Sequence, residues 1–393
     1  MRSCSPPRPR RQRGFGTTDL LVALAAAFVV LPGADRAIQP RPLLVADNGG
    51  ALQEIVIHFT PVVQEDVAPT YRDLLRAIEP HVKVWVVVEN EPHYRRFTRL
   101  LDRWGVQRPD RFRPVLVHRP ITTWSRDRYS LVVQGARRRL LVRPRPQEGP
   151  APRRNDWHAP FALARTVGGD VKVKPVPLIF DGGDLIATGR HVFATALLQA
   201  RNEEGTLAQR PALSRWLRHN LGREPVLLGR RADRVPGHHI GMFVTPLSDC
   251  LLHPPTSPDC KSVVLVGDVA SGLALLPGEA ELPLAVDRTA ATAARFQLVA
   301  RELRARGFTV VRVPLVPLSD GLTYLTYNNV LLERRADGRL HGYVPQFGLA
   351  GLDRAGRAAF ERQGVVVHPI DVSRIYTHNG TVRCLVNVLR RAG

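Results

Sequence analysis

The feature that most constrains this chain is its rhythm of short apolar strands. Strand-like runs at Glu54–Phe59, Val82–Val88, Pro114–His118, Ser130–Val133, Leu140–Val142, Val176–Phe180, Leu185–Ala187 and His191–Ala194 recur with few helices between them. Helical spacing is read at Thr70–Ile78, Pro92–Trp104, Arg201–His219, Ala290–Gly307 and Asp353–Gln363. Further strands are expected at Val226–Leu228, Met242–Pro246, Val263–Val266, Val310–Val313, Leu322–Leu332, Gly342–Pro345, Val365–Ile370 and Cys384–Leu389. Pairs of strands therefore recur between helices, whereas a simple doubly wound sheet alternates strand and helix more strictly. No repeat of solenoid length is visible by eye. With 44% hydrophobic and 23% charged residues among 393, wholesale disorder is excluded. No composition break marks a second domain, and only Arg143–Asn155 is linker-like.

Net charge is +21, and 52 of the 56 basic residues are Arg, the four lysines being Lys83, Lys172, Lys174 and Lys261. The arginines are spread along most of the chain and no nucleic-acid-binding module accompanies them, so a nucleic-acid partner is not expected. A solvated basic surface is the reading, with contact to an anionic surface as the functional alternative. Arg2, Arg8, Arg10, Arg11 and Arg13 precede the apolar run Leu20–Pro32, the pattern of an export signal or short N-terminal anchor. Residues 1–40 are taken as that leader and 45–393 as one domain, exported to the periplasm, to the exterior or to a membrane anchor. Without residues 1–40 the balance is 50 basic against 33 acidic, or +17. Cys250 and Cys260 flank a turn-rich loop and form a candidate disulfide in an oxidising compartment, leaving Cys384 unpaired.

Four polar spots sit in loops or at strand ends: Trp124-Ser125-Arg126-Asp127, Asp181-Gly182-Gly183-Asp184, Gly237-His238-His239-Ile240-Gly241-Met242 and Val382-Arg383-Cys384-Leu385. Singly, each reads as structure: an ion pair, a turn, a histidine ahead of a strand, a small core cysteine. Their joint order resembles the guanidino-group-modifying (pentein) superfamily, most closely its agmatine deiminase and bacterial peptidylarginine deiminase branch. That branch carries W-x-R-D, E-G-G, H-x-D and a Gly-rich turn ending in a cysteine. The strings around Asn329 (TYNNVL), Pro345 (YVPQFG) and Val366 (GVVVHPIDV) add to the likeness, which covers roughly residues 50–391.

The resemblance implies an α/β fold, a single-domain five-bladed αββαβ pseudo-symmetric propeller with a central polar pocket. It also implies a deiminase that needs no cofactor and no metal. Two carboxylates grip a planar guanidinium through charge-assisted hydrogen bonds and fix its carbon. Asp127 and Asp181 match those positions, with Asp184 as a further acid, Trp124 as a wall and Asn329 shaping the pocket. Cys384 matches the nucleophile and His239 the proton carrier. The partner implied is a small guanidine or an arginine-containing peptide; the oligomeric state is left open.

Three departures stand out. Gly241 replaces the acid two residues after the histidine; Asp181 is one methylene shorter than the usual Glu; and the turn before the cysteine reads His378-Asn379-Gly380-Thr381. Asp184, Asp249 or Asp320 could supply the missing acid, and Arg128 would repel a cation if it pointed inward. A non-catalytic guanidine-binding protein and an amidinotransferase are therefore retained as alternatives.

Overall fold

The computed structural model describes residues 40–392 apart from 107–109, 249–260 and 279–280. The apolar leader and the proposed Cys250–Cys260 bridge lie outside the described residues. No helix among the described residues is long and apolar enough to cross a membrane.

The described strands form five sheets, of four, three, four, three and four strands. Each contains the same unit: an antiparallel pair, then one or two helices, then a strand parallel to the second. Ser130–Gln134 and Arg138–Arg143 pair antiparallel, and two helices lead to Val171–Pro175. Ile186–Ala187 and His191–Thr195 are followed in the same way by Glu224–Leu228. Val244–Pro246 and Val263–Asp268 are followed by Thr309–Pro317, and Leu331–Arg334 and Leu340–Gln346 by Val366–Asp371. The fifth sheet takes its antiparallel pair from far apart in the chain. Val386–Arg391 lies against Leu52–His58, and Lys83–Val88 and Phe112–Leu116 extend the sheet in parallel.

Local signals set these elements. Lys83–Val88 (KVWVVV) is buried from Val84 onward, as expected of a parallel strand covered on both faces. The helix Glu91–Trp104 starts where the Asn90 side chain accepts the His93 amide, with Pro92 in the first turn. It ends at Gly105, whose φ of 64° is the left-handed conformation that glycine adopts without strain.

Several expectations are corrected. The helix expected from Thr70 begins at Gln64 and carries Pro69 inside it. Pro69 is the sixth residue, in the second turn, so the helix continues past it without the amide that would donate to Glu65 O, a carbonyl that Arg374 Nη1 reaches at 3.5 Å instead. Val176–Phe180 buries Val176, Leu178 and Phe180 and bonds to Arg143 O and Arg145 N but is not itself a strand; the strand is Val171–Pro175, whose alternating lysines hid it. The helix read from Arg201 starts at Arg210, with Pro211 in its first turn, and a short helix, Ala196–Ala200, precedes it. Leu322–Leu332 is two strands, Tyr324–Thr326 and Leu331–Arg334. Cys384 belongs to the helical turn Val382–Leu385, and the strand begins at Val386. Arg143–Asn155 is no linker: it ends in a short helix, Ala151–Asn155, with Pro152 in its first turn.

Candidate active site

The repeated unit explains why distant residues meet. In four of the five sheets the segment just before the first strand of the antiparallel pair carries one of the four polar spots, and in the remaining sheet that segment carries Asn329. Asp127 precedes Ser130–Gln134, Asp181 and Asp184 precede Ile186–Ala187, and His239 precedes Val244–Pro246. Asn329 precedes Leu331–Arg334, and Cys384 precedes Val386–Arg391. Backbone bonds tie these segments together: Gly182 N donates to Asp127 O (3.0 Å), Arg126 N to Cys384 O (3.3 Å) and Arg383 N to Asn329 O (3.1 Å). The Ser125 hydroxyl donates to Leu385 O (2.8 Å), and Asn387 Nδ2 to Ser125 O and Tyr129 O.

On one side of the site lie three buried carboxylates, Asp127, Asp181 and Asp184. Asp184 Oδ2 accepts the Asp181 amide at 2.8 Å, so the Gly182–Asp184 turn aims both acids from one place. All three are held by the chain's own guanidinium groups. Arg128 Nη1 donates to Asp181 Oδ1 (2.9 Å), and Arg201 Nη1 to Asp181 Oδ2 (3.2 Å) and Asp184 Oδ2 (2.6 Å). Arg153 Nη1 donates to Asp127 Oδ2 in a short bond, and its Nη2 lies 3.4 Å from Asp181 Oδ1. Arg128 does point inward, and it pairs with Asp181 while stacking on Trp157 at 4.8 Å.

His239 Nε2 stands 3.4 Å from Asp181 Oδ2. Burial pushes the imidazole pKa down, but the bonded Asp181, the neighbouring Cys384 sulfur and the charges of Asp127 and Asp184 outweigh burial. The net shift is upward, so the charged imidazole is favoured relative to an ordinary histidine. Burial opposes ionisation of Asp181 as well, yet His239 and the arginines hold its pKa well below the carboxylate range. Asp184 is raised, chiefly by burial. His238, packed at a tilt beside His239 with ring centroids 4.5 Å apart, has its pKa driven well down by burial and by the neighbouring His239 charge. Gly183 is required at its place, since a Cβ there would run into the His239 ring.

Cys384 is a buried free thiol among the described residues. Asn329 holds it in two ways: Nδ2 donates to the sulfur (3.3 Å) and Oδ1 accepts the Cys384 amide (3.3 Å). Thr381 donates to the same Oδ1 at 2.9 Å and fixes the amide's orientation. Trp124 crosses the turn at Gly380, where a Cβ would strike the indole and lie 3.2 Å from Cys384 Cβ. Cys384, His239, Asp181, Asp184, Asp127, Asn329 and Trp124 thus share one neighbourhood. Asp320 spends its carboxylate on Leu322, Thr323 and its own turn, and Asp249 lies outside the described residues.

Asp181, Asp184 and His239 put donor atoms within 4.8 Å of one another, the geometry of a three-ligand metal site. The chemistry does not suit one. Arg128, Arg153 and Arg201 already occupy these carboxylates, and a divalent cation would meet three guanidinium charges.

Sequence reasoning missed Arg153, Arg201 and the space beside Gly241. A Cβ at 241 would sit 2.8 Å from Arg383 Nη1. That buried nitrogen has no hydrogen-bond partner among the described residues, while the rest of the guanidinium is bound to Asp47 and Leu185 O. An acid introduced at 241 is therefore expected to be captured by Arg383. Gly241→Asp should change guanidino turnover by less than about tenfold, or ~1.4 kcal/mol. A larger gain in kcat/KM would show that the new carboxylate reaches substrate.

No protein-family model matches the chain, and no curated protein matches it. Solved structures do. A Cys-to-Ser variant of the C. jejuni agmatine deiminase with substrate bound aligns at TM-score 0.62 and 12% identity, covering 90% of this chain and 97% of that one. A protein described as a peptidyl-arginine deiminase aligns at TM-score 0.62 and 13% identity, covering 89% and 99%. The agmatine deiminase of Enterococcus faecalis aligns at 0.56 and 14%, covering 89% and 96%. The chain has the pentein fold. At these identities the likeness is one of architecture, and the pentein fold accounts for the five repeated units and for the convergence of their leading segments.

Proposed function

We propose that this protein is a thiol-dependent deiminase of a guanidino compound, of the agmatine or peptidyl-arginine type. The observation that carries the reading is the meeting of Cys384, His239, Asp181 and Asp127 at equivalent places of a pentein fold. The five sheets are read as the blades of an αββαβ propeller around that centre.

Asp127 and Asp181 grip the substrate guanidinium, with Asp184 supporting the second. The Cys384 thiolate attacks the guanidinium carbon, forming a C–S bond. The imidazolium of His239 gives its proton to the departing nitrogen, which leaves as ammonia. Neutral His239 then takes a proton from water, whose oxygen attacks the same carbon. The C–S bond breaks as the remaining hydroxyl proton is lost to solvent, the neutral ureido product leaves and the thiolate is restored. Asn329 Nδ2 supports the thiolate by donating to sulfur. Export to an extracytoplasmic compartment, and contact of the basic surface with anionic material, belong to this proposal.

A second reading has its own support. With Arg128, Arg153 and Arg201 on the acids and Gly241 where an acid is usual, the chain also suits a guanidine-binding protein without turnover. Amidino transfer would use the same adduct with an amine in place of water. The experiment is release of ammonia and ureido product from agmatine, arginine and an Arg-peptide panel, with and without an acceptor amine. Turnover across none of them would leave the binding reading in place of the enzymatic one.

A further inference from the structure

We infer that Arg153 is an internal guanidinium ligand of the substrate grip, and that it decides which guanidino compounds the site admits. This rests on the assignment of Asp127 and Asp181 as that grip. One guanidinium spans both acids, Nη1 on Asp127 Oδ2 and Nη2 near Asp181 Oδ1, as a substrate's would. The charges of both acids, and the hydrogen bond to Asp127, overcome burial and raise the Arg153 pKa.

Arg153 differs from the other two arginines in ways that make it the exchangeable one. The Arg128 side chain is 4% exposed and packed on Trp157, while that of Arg153 is 29% exposed. Arg201 binds Asp184 most closely and does not bridge the two grip acids. Arg153 rides on the short helix Ala151–Asn155, which follows a largely exposed Pro-rich stretch, 144–150. Asp127 Oδ1 is buried with no hydrogen-bond partner among the described residues, so the grip retains an unused acceptor while Arg153 is seated. An incoming guanidinium able to use both Asp127 oxygens would make a bond that Arg153 forgoes.

A tethered competitor acts at a local concentration of about millimolar or more, and apparent affinity falls by the fraction of sites it leaves free. Weak, featureless guanidines are excluded, and compounds with additional contacts displace Arg153.

The test is binding in a Cys384→Ala background, which separates it from turnover. Methylguanidine and agmatine are titrated by calorimetry at constant ionic strength. Adding Arg153→Ala should tighten methylguanidine binding at least about tenfold, and Arg153→Lys, which keeps charge without the fork, should fall between. Thermal melts accompany both: methylguanidine at low millimolar concentration should raise the melting temperature of the Ala variant and leave the Arg153 protein unchanged. Equal binding with and without Arg153 overturns the inference and leaves the deiminase reading intact. Absence of binding in folded Arg153→Ala and Arg153→Lys proteins overturns it as well.

Discussion

Cys384→Ala is expected to lower kcat by at least about ten-thousandfold while leaving guanidine binding within a few-fold of the unsubstituted protein. The sulfur is the only protein atom in the proposed reaction that bonds to the guanidinium carbon, so its removal eliminates a step and does not merely slow one. The grip is built elsewhere: Asp127 and Asp181 owe their positions to the turns at 124–128 and 181–184. Cys384 is buried and small, and an alanine there keeps the Thr381 and Asn329 backbone contacts, so the fold should survive at a cost of about 1 kcal/mol. Ammonia release measured beside a calorimetric titration separates the two effects. Turnover surviving the substitution would end the covalent mechanism.

Asp181→Asn should be the next most damaging change, lowering kcat/KM by about a thousandfold or more. Asp181 is simultaneously a partner of His239 (3.4 Å), of Arg128 (2.9 Å) and of Arg201 (3.2 Å). Its loss leaves buried cations facing a neutral amide, a defect of about 3 kcal/mol in stability. The pH profile carries the diagnostic. The His239 pKa is shifted upward, so on the proposed mechanism the alkaline limb of the rate is expected above that of an unperturbed histidine. Without the Asp181 charge that limb should move toward lower pH.

The same shifts set the stability profile. A raised histidine contributes fully below its unfolded value of about 6.5, and the contribution disappears as pH rises through the folded value. A depressed carboxylate contributes above about 3.9, and the contribution disappears as pH falls through its folded value. The pair therefore stabilises most between those two pH values, and the difference between native and Asp181→Asn melting temperatures should be largest there. A difference independent of pH would mean that the two groups are not coupled.

Much of the centre was legible because the chemistry restricts residue types. A grip for a flat cation needs carboxylates, attack on it needs sulfur, and proton transfer near neutrality needs imidazole. Singly, the strings holding Asp127, Asp181, His239 and Cys384 read as structure, and only their joint order and the family resemblance it carries singled them out. Arg153 was not so marked. It is one of 52 arginines in the chain, in the most basic run, where nothing local distinguishes a buried pairing from a solvated charge. The same run was read as a linker from its prolines, although Pro152 begins the helix that carries Arg153. The role of Gly241 was equally hidden, because the guanidinium that fills its neighbourhood belongs to Arg383 and is anchored by Asp47. Val171–Pro175 was missed for a simpler reason, since its lysines mask a strand whose partner is Arg138–Arg143.

The strand that follows Cys384 lies against Leu52–His58, with Val386 opposite Ile57. During synthesis a ribosome delivers every acid and the imidazole of the centre before it delivers the sulfur. On the proposed mechanism, growing chains therefore lack the nucleophile however well their earlier parts have folded. On that mechanism, the pairing of the final strand with Leu52–His58 brings the last of the proposed reacting groups into place.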